Sequence, residues 1–180
     1  MLSVGDGDTI RVTTPSGTSK TTVRLACIDA PETSQVLGID ARQALQAELP
    51  IGTEVSLRPK ATDRYGRTVA EVLKGTNNIN QELVAAGAAF VYWQYIQGCD
   101  RETYSRLENE ARLKSLGIWH LPGGIQRPWD YRRGRKADQS SGSRYRCKQI
   151  GSWAKAQELL KQGHSYLDRD GDGEACKSLR

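Results

Sequence analysis

The sequence lacks any long apolar stretch. No run of hydrophobic residues approaches the roughly 20 residues that a helix needs to cross a bilayer, so we expect no membrane span. The residues after Met1 also lack the basic segment, apolar segment and cleavage site of a secretory signal peptide. Because a D-G-D-T turn begins at Asp6, the strand that should lead into it looks shortened. We interpret the chain as a mature or expression form from which an export signal has been removed.

Histidine is scarce, and the two that occur, His120 and His164, are expected near element ends in different parts of the chain. Chemistry that depends on a histidine base or ligand is therefore unsupported. The hydrophobic content of 37%, with four Trp and seven Tyr, is enough for a globular core. The formal net charge of +5 suits a polyanionic partner but does not identify one.

Hydrophobic periodicity predicts a mixed α+β domain in the first two-thirds of the chain. Alternating segments predict a hairpin, followed later by two more strands that the D-R-Y-G-R turn joins. Asn80 and Asp100 are candidate N-caps of two helices, which end at Gly87 and Gly117. The predicted strands are 9–14, 21–28, 54–58 and 68–73, and a further helix is predicted at 40–49.

Three short motifs place acidic and arginine side chains at turns. In V-R-L-A-C-I-D-A-P-E, the apolar run that carries Arg24 stops at Asp29, and Pro31 then prevents further strand pairing before Glu32. The other two motifs are D-G-D-T at 6–9 and D-R-Y-G-R at 63–67. Carboxylates for a hard cation, one carboxylate free to move a proton, and two arginines for a phosphoryl charge make up a phosphodiesterase site.

These three motifs, in this order, resemble the catalytic core of the staphylococcal nuclease (thermonuclease) family over residues 4–119. The resemblance implies a five-stranded OB-type β-barrel with three helices. It further implies a calcium-dependent, sugar-nonspecific endonuclease that cleaves DNA and RNA, preferentially single-stranded, and leaves 3′-phosphates. It assigns Ca²⁺ ligation to Asp8, Asp29 and the backbone carbonyl of Ala30, water activation to Glu32, and phosphate binding to Arg24 and Arg67.

One departure from the family pattern is Ala30, where threonine is more common. The ligand survives this change because only a main-chain oxygen is needed. Tyr65, Trp93 and Tyr95 are candidates for stacking on a base or sugar, which would bind nucleic acid without reading its sequence. The aromatic residues in Y-W-Q-Y are equally compatible with a position partly in the core.

The composition changes at Arg127, where periodicity is lost and the sequence becomes basic and then rich in Ser and Gly. We therefore divide the chain into a nuclease-like domain (1–130), a flexible linker (131–144) and a C-terminal module (145–180). In the module, Ser152 is the candidate cap of a helix at 153–162.

An acidic loop follows that helix. Asp168, Asp170 and Asp172 alternate before Gly173, as at the start of an EF-hand loop, but the twelfth position is Leu179 instead of glutamate. The segment instead resembles the Excalibur module, a short calcium-binding unit of exported bacterial proteins. This resemblance implies a second Ca²⁺ site formed by the three aspartates and Glu174. A solvated Asp/Gly-rich turn is the alternative.

Four cysteines are present, and two of them, Cys147 and Cys176, bracket this module. A unit this small usually needs a disulfide or a metal, and closing this loop should add about 3 to 4 kcal/mol in an oxidising environment. Cys27 and Cys99 are either a second disulfide pair or two buried free thiols. Cys27 is expected inside the strand that ends in Asp29. We accordingly expect a secreted, envelope or periplasmic protein.

Two other classes of function remain open. One is a noncatalytic nucleic-acid-binding or scaffold domain, and the other is a calcium-dependent envelope protein in which the C-terminal module acts alone. The complete set of acids, base and arginines argues against both. We expect a monomer with no obligate protein partner.

Overall fold

The computed structural model describes residues 1–14, 16–120, 123–140, 147–161, 167–168 and 174–179. The chain divides into two compact units, Met1–Arg132 and Arg133–Arg180. In the part of the chain that the structure describes, no helix has the length and apolar character needed to cross a membrane.

The first unit is built around a mixed β-sheet. Its strands are β1 (Ser3–Val4), β2 (Thr9–Thr13), β3 (Lys20–Leu25), β4 (Ile28–Asp29), β5 (Ser56–Thr62), β6 (Thr68–Lys74), β7 (Asn77–Asn78) and β8 (Phe90–Val91). The main sheet has the order β1-β2-β3-β6-β5, with β7 beside β6, and β4 pairs with β8 separately. β3 and β6 run parallel, and the other pairs are antiparallel. The α+β class is confirmed. The described strands form an unclosed sheet, so closure of the expected five-stranded OB-type barrel is not confirmed.

The expected strand at 21–28 is interrupted between β3 and β4. Cys27 lies at the break with φ of 66°, a left-handed conformation that ends regular strand geometry. Its sulfur forms a disulfide with Cys99, so the paired alternative is correct, whereas the prediction that Cys27 lies inside a strand is wrong. β4 therefore leaves the main sheet, and its Asp29 pairs with Phe90 of β8.

Helices cover the sheet and connect its strands. They are α1 (Gly38–Glu48), α2 (Ile79–Ala85) and α3 (Arg101–Leu113), with 3-10 helices at Trp93–Tyr95 and Gly117–Trp119. Asp100 caps α3 as predicted, since its carboxylate accepts a hydrogen bond from the Thr103 amide at 3.2 Å. The core is lined by Ile10, Val23, Leu25, Leu45, Val72, Leu83 and Tyr104, all of which are fully buried.

Asn80 does not cap α2, because Asn78 takes that position and accepts from the first amides of the helix. Asn80 is instead fully buried. Its side chain accepts a hydrogen bond from the Val72 amide at 3.0 Å and donates to the Ala26 carbonyl at 2.9 Å. Asn80 thus ties β6 to the break that leads into β4.

The segment predicted to be an irregular connector forms a helix, α4 (Pro128–Ser140). Pro128 suits the first helical position, and half of the residues after it are good helix formers. Contacts within the first unit also hold the start of the helix, since Trp129 stacks on Tyr92 with 4.9 Å between ring centroids. Composition alone could not show these contacts.

The second unit contains α5 (Cys147–Ile150) and α6 (Trp153–Lys161). The predicted disulfide between Cys147 and Cys176 is confirmed. A small core packs beside it, formed by Ala156, Leu159, Leu167 and Ala175. Of the predicted calcium ligands, Asp168 and Glu174 are described, whereas Asp170 and Asp172 lie outside the described residues.

We predict that the double variant Cys27→Ser/Cys99→Ser is less stable than the parent chain. The bond joins residues 72 apart in sequence, and the chain-entropy estimate for a loop of that length is about 4 kcal/mol. Urea unfolding followed by tryptophan fluorescence measures the change. The expected result is a lower unfolding midpoint, and an unchanged midpoint would show that the bond does not support the strand break.

Candidate active site

One arginine holds two buried carboxylates together. Arg24 lies in β3 opposite Thr9 of β2, so its guanidinium reaches the turn that precedes β2. Its Nη1 forms an ion pair with Asp8 Oδ2, and its Nη2 donates to Asp29 Oδ1 at 2.6 Å. The Ala30 amide donates to Asp8 Oδ2 at 2.8 Å. The predicted convergence of Asp8, Arg24 and Asp29 is therefore present.

These carboxylates lie almost entirely out of water, with Asp8 4% exposed and Asp29 0% exposed. Burial is the largest influence on the pKa of Asp8 and raises it to about 8, while the charge of Arg24 acts in the opposite direction. Burial alone would lower the pKa of Arg24, but Asp8 and Asp29 hold it above its ordinary value. A site of this kind favours a further positive charge, because that charge would stabilise both ionised carboxylates.

Glu32 lies beside this pair and is more accessible, with 27% of its side chain exposed. Its partner was not predicted: Arg132 of α4 donates from Nη1 to Glu32 Oε1 at 2.7 Å. The same guanidinium contacts Asp29, with Nη2 to Oδ2 at 2.5 Å and Nη1 to Oδ1 at 3.1 Å. Arg132 is 100 residues from Glu32 in sequence, and it lies in a basic segment that we interpreted as a linker. No sequence motif therefore connected the two residues.

The D-R-Y-G-R turn presents Arg67 near the same strand, because Val23 pairs with Thr68 where β3 and β6 run parallel. Asp63 shapes this turn by accepting hydrogen bonds from the amides of Tyr65 at 2.9 Å and Arg67 at 3.0 Å. Partial burial would raise the pKa of Asp63, but these bonds outweigh it and hold the pKa below its usual value.

The side chain of Arg67 also pairs with the carboxylate of Asp63, with Nε to Oδ2 at 2.7 Å. Within the described residues no ion pair joins Arg67 to Asp8, Asp29 or Glu32. The structure therefore brings together Asp8, Arg24, Asp29 and Glu32, whereas Arg67 lies on the neighbouring strand connection.

The donor set suits a hard cation. Carboxylate and carbonyl oxygens are the ligands that calcium prefers, and water completes its coordination. Among the described residues, no three acidic, histidine or cysteine side chains converge closely enough to form a complete site by themselves. The expected ligand set does not need three such side chains, because it uses two carboxylates, from Asp8 and Asp29, and the backbone carbonyl of Ala30. Ligation by that carbonyl stays a prediction.

The predicted stacking residues are at the surface. Tyr65 is 67% exposed, and the guanidinium groups of Arg64 and Arg67 lie over its ring. Trp93 and Tyr95 are also exposed. Trp93 is held from one side, because its indole N–H donates to Glu108 at 3.0 Å. These positions leave aromatic surface available for a base or a sugar.

Comparison with known proteins identifies the first unit. The family model described as "Staphylococcal nuclease homologue" matches residues 22–121, more than half of the chain. The chain belongs to the staphylococcal nuclease family. It is 41% identical to a micrococcal nuclease from Shigella flexneri over 145 residues, covering 76% of this chain and 80% of the relative. Family membership makes the protein a hydrolase of the nuclease class.

Other relatives agree with this assignment. The nuclease is 39% identical to protein ParB of Escherichia coli over 142 residues, which are 74% of this chain and 77% of the relative. It is 36% identical to an uncharacterized endonuclease of Haemophilus influenzae over 140 residues, or 78% and 75% of the two chains. Both resemblances inferred from motifs are thus confirmed, because the Excalibur calcium-binding domain matches residues 144–176. That match and the two disulfides favour an extracellular or envelope location.

We predict that Asp29→Asn removes calcium binding from the first unit of this nuclease while the C-terminal module still binds. The amide has the size of the carboxylate but removes the negative charge that faces Arg24 and Arg132. Calorimetric calcium titration of the full chain counts the sites.

Asp63→Asn is the matched control, because it neutralises an aspartate in a turn outside the acid cluster and should leave calcium affinity unchanged. Loss of both calcium sites in Asp29→Asn would contradict independent binding by the two units. Retention of both would exclude Asp29 as a ligand.

Proposed function

We propose that this nuclease is a calcium-dependent, sugar-nonspecific endonuclease that hydrolyses DNA and RNA, preferentially single-stranded, and leaves 3′-phosphates. The observation that supports this most strongly is the single guanidinium of Arg24 that spans Asp8 and Asp29 beside Glu32. This arrangement supplies ligands for a cation, a base and a phosphate-binding donor within one small volume.

The different burial of the carboxylates separates their roles. Asp29 is 0% exposed and is held by Arg24 and Arg132, which suits a ligand in a fixed position. The side chain of Glu32 is 27% exposed and can therefore contact a water molecule directly. We assign cation binding to Asp8, Asp29 and the Ala30 carbonyl, and removal of the proton from the attacking water to Glu32.

A calcium ion at these ligands would supply positive charge to a phosphate oxygen and so favour the transition state. The protein contributes fixed donors for the same charge. Arg24 carries five N–H donors on a rigid planar group, so its contacts with Asp8 and Asp29 do not exhaust its capacity. We assign Arg24 and Arg67 to the non-bridging oxygens of the phosphate.

Recognition without base reading follows from the surrounding surface. The net charge of +5 favours a polyanion, and the exposed rings of Tyr65, Trp93 and Tyr95 can stack on any base. Stacking requires unpaired bases, which is the reason for the preference for single strands. The C-terminal module and the disulfides support secretion into a compartment that contains calcium, with a second site at Asp168, Asp170, Asp172 and Glu174.

A noncatalytic scaffold remains the alternative function. Two buried carboxylates joined by one arginine, with the more accessible Glu32 beside them, match the needs of cation-assisted hydrolysis more closely than those of a binding surface alone. The intact acid cluster therefore supports catalysis.

We predict that Glu32→Gln retains the fold and calcium binding but loses activity by about 10² to 10⁴-fold, the usual value of general-base assistance. Release of acid-soluble nucleotides from DNA and from RNA, with calcium and with chelator, measures the rate. The matched control is Glu54→Gln, which makes the same change at an exposed position. An unchanged rate for Glu32→Gln would refute its role as the base, and equal release with chelator would refute calcium dependence.

We also predict that Arg67→Ala lowers the rate by about two decades, as removal of a fixed donor to the transition state usually does. Arg64→Ala removes the same charge from the same turn and serves as the control. Kinetics and thermal melting are compared for both variants. If Arg67→Ala changed only the melting temperature, Arg67 would serve the turn through Asp63 and would not bind phosphate.

A further inference from the structure

The beginning of α4 contacts the acid site although it lies outside both matched regions, which cover residues 22–121 and 144–176. Three consecutive interactions hold it there. Trp129 stacks in parallel on Tyr92, with 4.9 Å between centroids. The Tyr131 hydroxyl donates to the Ser34 carbonyl at 3.0 Å. Arg132 then reaches Asp29 and Glu32.

Arg132 and Arg24 converge on one oxygen atom. Asp29 Oδ1 accepts from Arg24 Nη2 at 2.6 Å and from Arg132 Nη1 at 3.1 Å. Two guanidinium groups this close repel each other unless an anion lies between them. In the structure that anion is Asp29, which is fully buried and cannot move far.

The surface of Arg132 faces both the acids and solvent. Its side chain is 37% exposed, compared with 14% for Arg24. An arginine guanidinium stays charged in proteins, and this one forms ion pairs with Asp29 and Glu32. Arg132 is therefore a charged, planar donor that is partly exposed to solvent beside the acid cluster. Such a group can donate two parallel hydrogen bonds to two oxygens of one phosphate.

We propose that Arg132 is a third substrate-binding arginine of this nuclease and contacts the phosphate of the bound strand. In this role it exchanges its contact with Asp29 for phosphate oxygens and keeps its contact with Glu32. The proposal rests on the proposed function, because it places the substrate phosphate beside Asp29 and Glu32.

A different role would be that of an inhibitory latch, in which Arg132 blocks Asp29 until calcium displaces it. A latch of this kind would need Arg132 to leave both Asp29 and Glu32, whereas the proposed donor keeps its contact with Glu32. The Trp129–Tyr92 stack and the Tyr131–Ser34 hydrogen bond both hold this end of α4 against the first unit. The geometry therefore favours a fixed donor that changes its acceptor over a helix that leaves.

The test compares Arg132→Ala, Arg132→Lys and Arg133→Ala with the parent full-length chain. Single-turnover cleavage of a labelled single-stranded oligodeoxynucleotide, at increasing enzyme concentration, separates the apparent dissociation constant from the rate of the chemical step. Arg133→Ala is the matched control, since it removes the same charge from an exposed neighbour on α4. Calorimetric calcium titration of the same variants supplies a readout that does not depend on activity.

We expect Arg132→Ala to weaken oligonucleotide binding roughly tenfold to 100-fold, the usual effect of losing hydrogen bonds to a charged group. Arg132→Lys should recover part of this loss, because an ammonium keeps the charge but not the planar pair of donors. Without oligonucleotide, calcium affinity should rise in Arg132→Ala, because Arg132 contacts both carboxylate oxygens of Asp29 in that state. Cleavage at limiting calcium should nevertheless be slower than in the parent chain, because the contact with the substrate phosphate is lost. Arg133→Ala should behave as the parent chain.

Two results would overturn the proposal while leaving the proposed function intact. Equal dissociation constants for Arg132→Ala and Arg133→Ala, with cleavage retained, would show that Arg132 does not bind substrate. Faster cleavage at limiting calcium in Arg132→Ala than in the parent chain would show that Arg132 is a latch. If the parent chain itself failed to cleave the oligonucleotide with calcium present, the proposed function would fail, and this proposal would fail with it.

Discussion

The structure depends on the ion pairs that Arg24 makes with Asp8 and Asp29. Each of these carboxylates is nearly inaccessible to water, and an isolated charge in such a position would destabilise the fold. One guanidinium compensates both, and it can do so only if β2, β3 and β4 meet at this point. Breaking a buried pair of this kind usually costs about 3 to 5 kcal/mol. The ion pairs of Arg24 with Asp8 and Asp29 therefore shape the site and also support the packing of the three strands.

The interruption of the strand at Cys27 gives the acids their arrangement. A continuous strand from β3 into β4 would keep Asp29 in the main sheet, whereas the left-handed turn sends it toward β8. The disulfide to Cys99 and the buried side chain of Asn80, which bonds the Ala26 carbonyl, fix the two sides of this turn. The arrangement of the acids is thus held by a disulfide and a buried amide that lie outside the acid cluster.

Sequence patterns predicted those parts of the site that are local. Arg24, Asp29 and Glu32 lie close together in one short segment of the sequence, and capping by Asp100 depends on its own helix. The break between β3 and β4 was not predicted, because alternation of apolar residues cannot reveal a positive φ at Cys27. Arg132 was missed for another reason: α4 is held by contacts with residues far away in sequence, and a basic composition without periodicity resembled a linker. Tertiary packing decided both cases.

The central claim is that Asp8 and Asp29 hold a calcium ion beside Glu32. A crystal structure of the full chain grown with calcium tests it most directly, with anomalous scattering used to place the ions. The account predicts one ion at about 2.3 to 2.6 Å from a carboxylate oxygen of each aspartate, the usual calcium–oxygen distance. A structure with calcium only in the C-terminal module, and with Asp29 still bound by both Arg24 and Arg132 as it is here, would contradict it.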